Sequence, residues 1–326
     1  MKINEISFVD LYLGDGFCDI TGLDGAGRKP APPSLAGELD FLRKECKRIC
    51  DAEGESEFSL LVDGTIFRGT ALEDVANNDV FILRRSAASI LPVQSIGFSP
   101  LVLNELLRKD MKGLILFAGE MGAGKTSTMA SVLKARLERH GGIAIGIEDP
   151  PETNLNGLHG EGRCIQVRAS RKNGGYKEQM RRAMRSGADT IMVGEIRDNE
   201  PAMEAAKGSI NGHLLMATIH AGNPIEAIER LQTFCNGAGA SNTNEILADG
   251  LSMVIWQTLE RMKMPNTAQQ TGRNVTRIRS EFLIVREKTG VKARIRKGQL
   301  DQLVHDVTEQ STQMAWNAVN AGVKQS

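Results

Sequence analysis

The residues with the clearest chemistry form a glycine-rich segment in the first half of the chain. It reads Gly119-Glu120-Met121-Gly122-Ala123-Gly124-Lys125-Thr126, followed by Ser127, and matches the pattern G-x-x-x-x-G-K-[ST]. In such a loop the glycines let backbone N–H groups turn inward around phosphate oxygens, and the following helix adds the positive end of its dipole. The lysine reaches the β- and γ-phosphates, and the Thr126 hydroxyl ligates Mg²⁺. The segment Gly119–Ser127 therefore predicts a nucleoside triphosphate site, with ATP and Mg²⁺ as the expected cofactors.

Two later segments carry the carboxylates that hydrolysis would need. The apolar run Ile143–Ile147 leads into Glu148-Asp149-Pro150-Pro151-Glu152, so a buried strand would deliver three acids to the carboxyl edge of a sheet, where open α/β sheets bind ligands. The second run, Thr190–Val193, ends in Gly194-Glu195, which favours Glu195 as the acid on the metal side together with Thr126. Either Glu148 or Glu152 can be the base that activates water. An acidic surface turn is the alternative for Asp149.

Two of the five histidines bracket a single apolar strand. His213 precedes the segment Leu214–Thr218, and His220 follows it. A histidine at the carboxyl end of a strand in this sheet would lie near the γ-phosphate, where it could sense or stabilise phosphate charge. We therefore expect a catalytic role for His220, and we interpret His159 and His305 as structural.

The pattern of apolar segments changes near residue 95 and divides the chain. Before that point, short strands and one helical stretch, Glu38–Ala52, predict a small α+β domain over residues 1–95. Prolines bracket Ser89–Pro100, so we place a linker at residues 96–103. Beyond it, short apolar strands alternate with helical stretches, which predicts an α/β domain with a mainly parallel sheet over residues 104–326.

Composition predicts a cytoplasmic protein. The 40 basic and 40 acidic residues cancel, although residues 1–100 carry 10 Lys/Arg against 16 Asp/Glu. No apolar run approaches the ~20 residues that a membrane span needs. The first residues lack the basic and apolar pattern of a signal peptide, and the five scattered cysteines fit reduced thiols.

Together these segments resemble the secretion ATPase superfamily, which drives type II secretion, type IV pili and some type IV secretion systems. Gly119–Thr126 is similar to the Walker A loop of that family. Three further motifs follow in the family's order, namely its Asp box at Ile147–Glu152, its Walker B motif at Gly194–Asp198 and its His box at Gly212–His220. The resemblance implies a RecA-like P-loop NTPase domain preceded by a small α+β (PAS-like) N-terminal domain.

The resemblance also implies roles for individual residues. Glu152 corresponds to the glutamate that activates water, with Glu148 as the rival, and Glu195 corresponds to the Walker B glutamate. His213 and His220 correspond to the two His-box histidines. Phe67-Arg68 and Phe81–Arg85 resemble two arginine-bearing segments that approach nucleotide as the ring closes. This predicts Arg68 and Arg84 as catalytic residues; Arg85 is an alternative to Arg84, and surface arginines on strand ends are the alternative to both.

One segment bears on the branch of the superfamily. Val291–Gly298 resembles a degenerate form of the AIRNLIRE segment of PilT-type retraction ATPases. This favours a hexameric ring motor that powers type IV pilus retraction, peripherally attached to the inner membrane through a platform protein. A motor of a type IV secretion or conjugation system is the alternative within the family. A P-loop small-molecule kinase and a DNA translocase are the alternatives from other classes.

The segment Arg261–Gly298 is strongly basic, with 11 Lys/Arg against Glu281 and Glu287. No aromatic residue other than Phe282 is interleaved, so a stacking surface for single strands is missing and we expect no sequence-specific nucleic-acid partner. A solvated or subunit-facing surface and peripheral contact with an anionic membrane remain the alternatives.

Overall fold

The computed structural model describes residues 2–25, 27–86, 90–263 and 274–323. Its internal contacts divide the chain into two compact units. The first unit contains Met1–Ile90 and two later segments, Glu148–Asn154 and Arg168–Gly175; the second contains Leu91–Ile147, Leu155–Val167 and Tyr176–Ser326. The sequence analysis assigned the two later segments to the ATPase domain, whereas their contacts group them with the N-terminal residues.

The first unit is a six-stranded antiparallel sheet with one long helix. The strand order is β3-β2-β1-β6-β5-β4. The elements are, in chain order, β1 (Asp10–Leu13), β2 (Cys18–Thr21), β3 (Lys29–Pro30), α1 (Ala36–Glu53), β4 (Glu57–Val62), β5 (Thr65–Glu73) and β6 (Asp79–Arg85). This arrangement confirms the predicted small α+β domain.

The core of the first unit lies between α1 and the sheet. Leu39, Leu42 and Cys46 recur at helical spacing on α1, and they are buried in one cluster with the strand residues Phe58 and Phe67. The helix ends at Gly54, whose left-handed backbone (φ 70°) lets its N–H donate to the carbonyl of Cys50. Amphipathic spacing and a glycine stop therefore explain both the presence and the length of the helix.

The second unit contains an eight-stranded sheet in the order β14-β13-β7-β12-β11-β8-β10-β9. Its elements are α2 (Pro100–Leu106), β7 (Gly113–Gly119), α3 (Lys125–His140), β8 (Gly142–Glu148), β9 (Gly157–His159), β10 (Gly162–Arg168), α4 (Gly175–Arg185), β11 (Thr190–Val193), α5 (Asn199–Ile210), β12 (Leu214–His220), α6 (Pro224–Gly237), α7 (Thr243–Gly250), β13 (Leu251–Lys263), β14 (Asn274–Ile284), α8 (Thr289–Arg296) and α9 (Leu303–Val323).

Five neighbouring strands of this sheet, β13, β7, β12, β11 and β8, are parallel. Every residue of β7 and of β11 is buried, as expected for strands covered on both faces by helices. β14 pairs antiparallel with β13, and β9 pairs antiparallel with β10. The mainly parallel sheet predicted from the alternation of apolar strands and helical stretches is thus confirmed.

The predicted linker contains ordered structure. Val93–Ile96 forms one turn of 3-10 helix, and α2 begins at Pro100 with the Ser99 hydroxyl accepting a hydrogen bond from the N–H of Val102. Ser89 lies outside the described residues, as do residues 264–273 of the basic segment. Among the described residues, no helix is both long and apolar enough to cross a membrane.

A single arginine joins distant parts of the first unit. The Arg168 guanidinium donates to Asp149 (3.0 Å) and Glu55 (3.1 Å), and it also contacts the carboxylate of Glu53 and the backbone carbonyl of Glu57. Only 11% of the Arg168 side chain is exposed. Because one cation satisfies three carboxylates, from the end of α1, from the short segment between α1 and β4 and from the segment after β8, Arg168 holds Glu148–Asn154 in the first unit.

Arg168→Met should lower the free energy of unfolding of the first unit by about 3 kcal/mol, because it leaves clustered carboxylates without their shared cation. Urea unfolding followed by tryptic cleavage within residues 1–90 measures the change. The control is Arg182→Met, which removes an exposed pair with Glu178 on α4 and should have no measurable effect. Equal stability of the two variants would contradict the role of Arg168.

Candidate active site

The pairing of β7 with β12 sets the geometry of the phosphate loop. In this parallel pair His220 lies opposite Gly119, and in the next pair Val193 at the end of β11 lies opposite Ala217. The carboxyl ends of three strands therefore meet at one edge of the sheet. The predicted phosphate loop, Glu195 and His220 all follow or end these strands.

The loop between β7 and α3 requires glycine at two positions. Gly119 has φ +152°, and a Cβ there would lie 2.3 Å from the carbonyl oxygen of Gln257. Gly124 is left-handed (φ 80°) and directly precedes Lys125, the first residue of α3. The chain can therefore leave a buried strand and enter a helix within five residues, as the Walker A pattern demands.

Lys125 lies inside the loop rather than in solvent. Its ammonium donates to the carbonyls of Gly119 (3.0 Å) and Glu120 (2.9 Å), and the residue is only 7% exposed. These contacts hold a positive charge against the loop backbone. A bound phosphate would be a stronger partner for that charge than a neutral carbonyl.

A chain of polar contacts runs from Lys125 to the predicted Walker B glutamate. Lys125 Nζ lies 3.3 Å from Nδ1 of His220, and Nε2 of the same ring lies 2.9 Å from Oε1 of Glu195. The other oxygen of Glu195, Oε2, accepts from Arg197 Nε at 2.7 Å. The structure thus brings together three residues that the sequence analysis took from three separate motifs.

The donor set fits a hard divalent cation. Within the described residues, Oε1 of Glu195 is buried and receives no well-directed hydrogen bond, although the ring of His220 is close. The Thr126 hydroxyl in the first turn of α3 is the second candidate oxygen ligand. Carboxylate and hydroxyl oxygens are ligands that Mg²⁺ accepts. The chemistry of these two side chains therefore fits Mg²⁺, and their role in holding it stays a prediction.

One residue that contacts the loop was missed by the sequence analysis. Gln257 on β13 is fully buried, and its side-chain amide donates to the carbonyl of Ala123 at 2.6 Å. Its neighbour Trp256 donates to the carbonyl of Ala221, directly after His220. A glutamine directly after the apolar run 253–256 was the available signal, since a buried amide needs partners.

The predicted arginines and the two candidate bases, Glu148 and Glu152, belong to the first unit. Arg68 on β5 donates to Glu152 at 2.8 Å, and Arg84 on β6 makes a two-pronged contact with Asp10 (2.7 and 3.2 Å). Arg68 lies directly opposite Arg84, which in turn lies opposite Asp10 on β1. Both arginines therefore share one face of the small sheet. Glu148, the last residue of β8, is buried, being only 2% exposed.

Arg85 occupies a different position from Arg84. It donates to the backbone carbonyls of Ile6 (3.1 Å) and Asn4 (3.4 Å). Successive residues of a strand point to opposite faces, so Arg85 cannot share the face of Arg68 and Arg84. Its contacts are those of a structural residue, which favours Arg84 over Arg85.

His213 is separated from the phosphate loop. It precedes β12, whereas His220 ends that strand, so the seven-residue strand lies between them. At about 3.3 Å per residue this places the two histidines roughly 20 Å apart. The structure therefore does not bring His213 to Lys125, because the ends of a strand lie at opposite edges of a sheet.

A family model described as "Type II/IV secretion system protein" matches residues 75–321. The chain belongs to this family. The match confirms the predicted secretion ATPase superfamily. The matched region contains Arg84 and every motif of the second unit described above, whereas Arg68 lies before its first residue.

Individual relatives come from pili and secretion systems. The chain is 27% identical over 262 residues to the type IV pilus retraction ATPase PilT of Pseudomonas aeruginosa, covering 77% of this chain and 73% of that protein. It is 37% identical over 146 residues to the type II secretion system protein HxcR of P. aeruginosa, covering 44% of this chain. It is 34% identical over 179 residues to the pilus assembly ATPase PilB of Acinetobacter baylyi, covering 54% of this chain. The chain spans less than a third of the length of these last two relatives, 30% and 28%.

Solved structures show the same fold. The crystal structure of the pilus retraction motor PilT with bound ADP superposes with a TM-score of 0.74 at 25% identity, covering 94% of this chain and 89% of that one. The Legionella pneumophila ATPase DotB superposes with a TM-score of 0.67 at 18% identity, covering 98% of this chain and 88% of that one, which shows the fold alone. The predicted α/β ATPase fold with a small N-terminal domain is confirmed.

Gln257→Leu should weaken ADP binding by about tenfold, because it leaves the buried carbonyl of Ala123 without its donor and loosens the loop. Fluorescence titration with a labelled ADP measures the dissociation constant, and circular dichroism checks folding. The matched control is Gln302→Leu at an exposed position after α8, which should bind ADP as the parent does. An unchanged dissociation constant in a folded Gln257→Leu protein would contradict the contact's role.

Proposed function

We propose that this protein is an ATP-hydrolysing ring motor of the type II/IV secretion family that powers type IV pilus retraction. The observation that supports hydrolysis best is the contact chain Lys125–His220–Glu195 at the phosphate loop. A loop that only binds nucleotide needs the lysine, but it does not need an acid and a histidine aligned behind it. Such an arrangement suits a site that must distinguish ATP from ADP.

The residues of the second unit have separate roles at the nucleotide. Backbone N–H groups of Gly119–Ser127 and the start of α3 bind phosphate oxygens, and Lys125 neutralises the β- and γ-phosphates. Thr126 and Glu195 would hold Mg²⁺, which would supply charge neutralisation on the phosphate oxygens. His220 contacts both Lys125 and Glu195, so loss of a γ-phosphate held by Lys125 would change the surroundings of its ring.

We assign the water-activating role to Glu152 rather than Glu148. The Glu152 side chain is 44% exposed and accepts a hydrogen bond from Arg68, whose side chain is 43% exposed. Glu148 is almost fully buried, which restricts the access of water to its carboxylate. A general base must reach the water that it deprotonates, and exposure favours Glu152.

We propose that Arg68 and Arg84 bring positive charge to the γ-phosphate in the transition state. Phosphoryl transfer spreads negative charge over the γ-oxygens, and an arginine that arrives in the transition state can raise the rate by ~10³-fold or more. The two arginines lie side by side on neighbouring strands, each paired with a carboxylate that an incoming phosphate could replace. In a hexameric ring, movement of the small domain would bring them to nucleotide and couple hydrolysis to force.

Pilus retraction is favoured by the resemblance to PilT in sequence and in fold. The chain is 27% identical to the retraction ATPase PilT of P. aeruginosa, and the ADP-bound retraction motor PilT superposes with a TM-score of 0.74. The proposed partner is therefore an inner-membrane platform protein of a pilus system, with the motor on its cytoplasmic side. A motor of a type IV secretion or conjugation system is the alternative.

Deleting the gene should leave cells that display surface pili but cannot retract them, and expression of the parent chain should restore retraction. Lys125→Ala should fail to restore it, because the phosphates lose their cation while the fold is kept. Pilus retraction is followed by fluorescence microscopy, and phosphate release from the purified proteins is measured in parallel. Loss of pili on deletion, or of a secreted substrate alone, would contradict retraction. A parent that releases no phosphate would contradict the motor itself.

Glu152→Gln should bind ATP with Mg²⁺ nearly as the parent does yet lose ~10²–10⁴ in turnover, the range for a removed general base. Glu148→Gln is the matched comparison, since it makes the same chemical change four residues earlier. Steady-state phosphate release and nucleotide titration measure the two properties separately. If Glu148→Gln shows the large loss and Glu152→Gln does not, the assignment is reversed.

A further inference from the structure

A second pocket lies in the second unit, at the opposite edge of the sheet from the phosphate loop. It is a cavity of about 300 Å³ formed where β7, β8, β11 and β12 begin and where α3 ends. The charged or titratable residues that line it are Lys109, Lys112, Arg136, His140, Asp189 and His213. None of them belongs to the contact chain at the phosphate loop.

The charge of this pocket is unbalanced. Two lysines, one arginine and two histidines face one carboxylate, Asp189, whose Oδ2 already accepts from the N–H of Ile143 at 2.8 Å. Within the described part of the chain, the side chains of Lys109, Lys112 and His213 make no hydrogen bond or ion pair. Clustered cations without counterions repel one another, so an anion at this place would be stabilised.

Arg136 gives the pocket a fixed, buried cation. The residue is 7% exposed, and its guanidinium donates to the carbonyls of Leu106 (2.6 Å) and Arg108 (2.9 Å). Among the described residues no carboxylate lies within ion-pair distance, and the buried Nε atom has no partner. Burial lowers the pKa of Arg136 to about 10, so the side chain stays charged at neutral pH. A buried charge with only neutral partners is costly unless a counter-charge binds nearby.

His140 is the last residue of α3, the helix that also carries Arg136. Its Nε2 lies 2.7 Å from the carbonyl of Leu107, which makes Nε2 the protonated nitrogen of the neutral ring. His140 and Arg136 are one helical turn apart on α3, so both approach the cavity from the same side. Lys112 and His213 approach from the strand side, at the starts of β7 and β12.

We propose that this pocket binds a small phosphate-bearing anion, at a site distinct from the nucleotide site. Its volume is at the lower end of the range for small-molecule sites, which suits one or two phosphate groups rather than a second large ligand. Lysine and arginine are the side chains that bind phosphate best, and the histidines add donors when protonated. The proposal does not depend on hydrolysis at the phosphate loop.

Histidine NMR tests the proposal directly, because the chain has five histidines and three of them report on the two sites. The protein is labelled with ¹³C in the histidine rings, and inorganic pyrophosphate is titrated into the Lys125→Ala variant, which has lost the loop cation. His140 and His213 report on the pocket, whereas His220 reports on the phosphate loop; single His→Gln variants assign their signals. Saturable shifts of His140 and His213 without a shift of His220 are the expected result.

The double substitution Lys109→Ala and Lys112→Ala should lower the affinity for pyrophosphate roughly tenfold or more, since two charge-assisted contacts are lost. The affinity is obtained from the titration of the same histidine shifts. Both lysines are exposed, so the fold should be kept. The matched control combines Lys288→Ala with Lys297→Ala, which removes the same charge from exposed positions around α8. Shifts confined to His220, or an equal loss of affinity in the control, would overturn the proposal.

Discussion

The parallel pairing of β7 with β12 is the constraint on which the rest of the second unit depends. Both strands are almost completely buried, so their register is held by apolar packing on two faces as well as by backbone hydrogen bonds. That register places His220 opposite Gly119, where the phosphate loop begins. A slip of one residue would turn the His220 side chain to the other face of the sheet and away from Lys125. The polar chain Lys125–His220–Glu195 is therefore a product of hydrophobic packing several residues away.

Local patterns in the sequence were sufficient to predict the parts of the molecule that local physics determines. The phosphate loop is one example, because glycine spacing and the lysine that begins the helix specify its backbone within eight residues. Buried strands such as Thr190–Val193 are another, since a short apolar run between helical stretches has few other interpretations. The position of Glu195 near the phosphate loop followed because the end of a parallel strand is also the edge where ligands bind.

Other features depend on contacts between residues far apart in the chain, and no spacing rule reveals them. Gln257 contacts the phosphate loop across 134 residues of sequence. Arg168 joins carboxylates that lie 113 and 115 residues before it. His213 illustrates the converse, because the resemblance to the His box gave it a role at the site, whereas the strand between it and His220 places it at the other edge of the sheet. The domain boundary at residue 95 likewise ignored the two later segments that fold with the N-terminal residues.

The position of Gln257 along β13 matters as well as its hydrogen bond. It lies midway along β13, a strand of 13 residues that continues into the hairpin with β14. An extended strand is nearly inextensible, because lengthening it further would require distorted bond angles. A displacement of β13 along its own length would therefore move Gln257 and, through its side-chain amide, the carbonyl of Ala123. The pairing of β13 with β14 is in this way linked to the turn that would hold the phosphates.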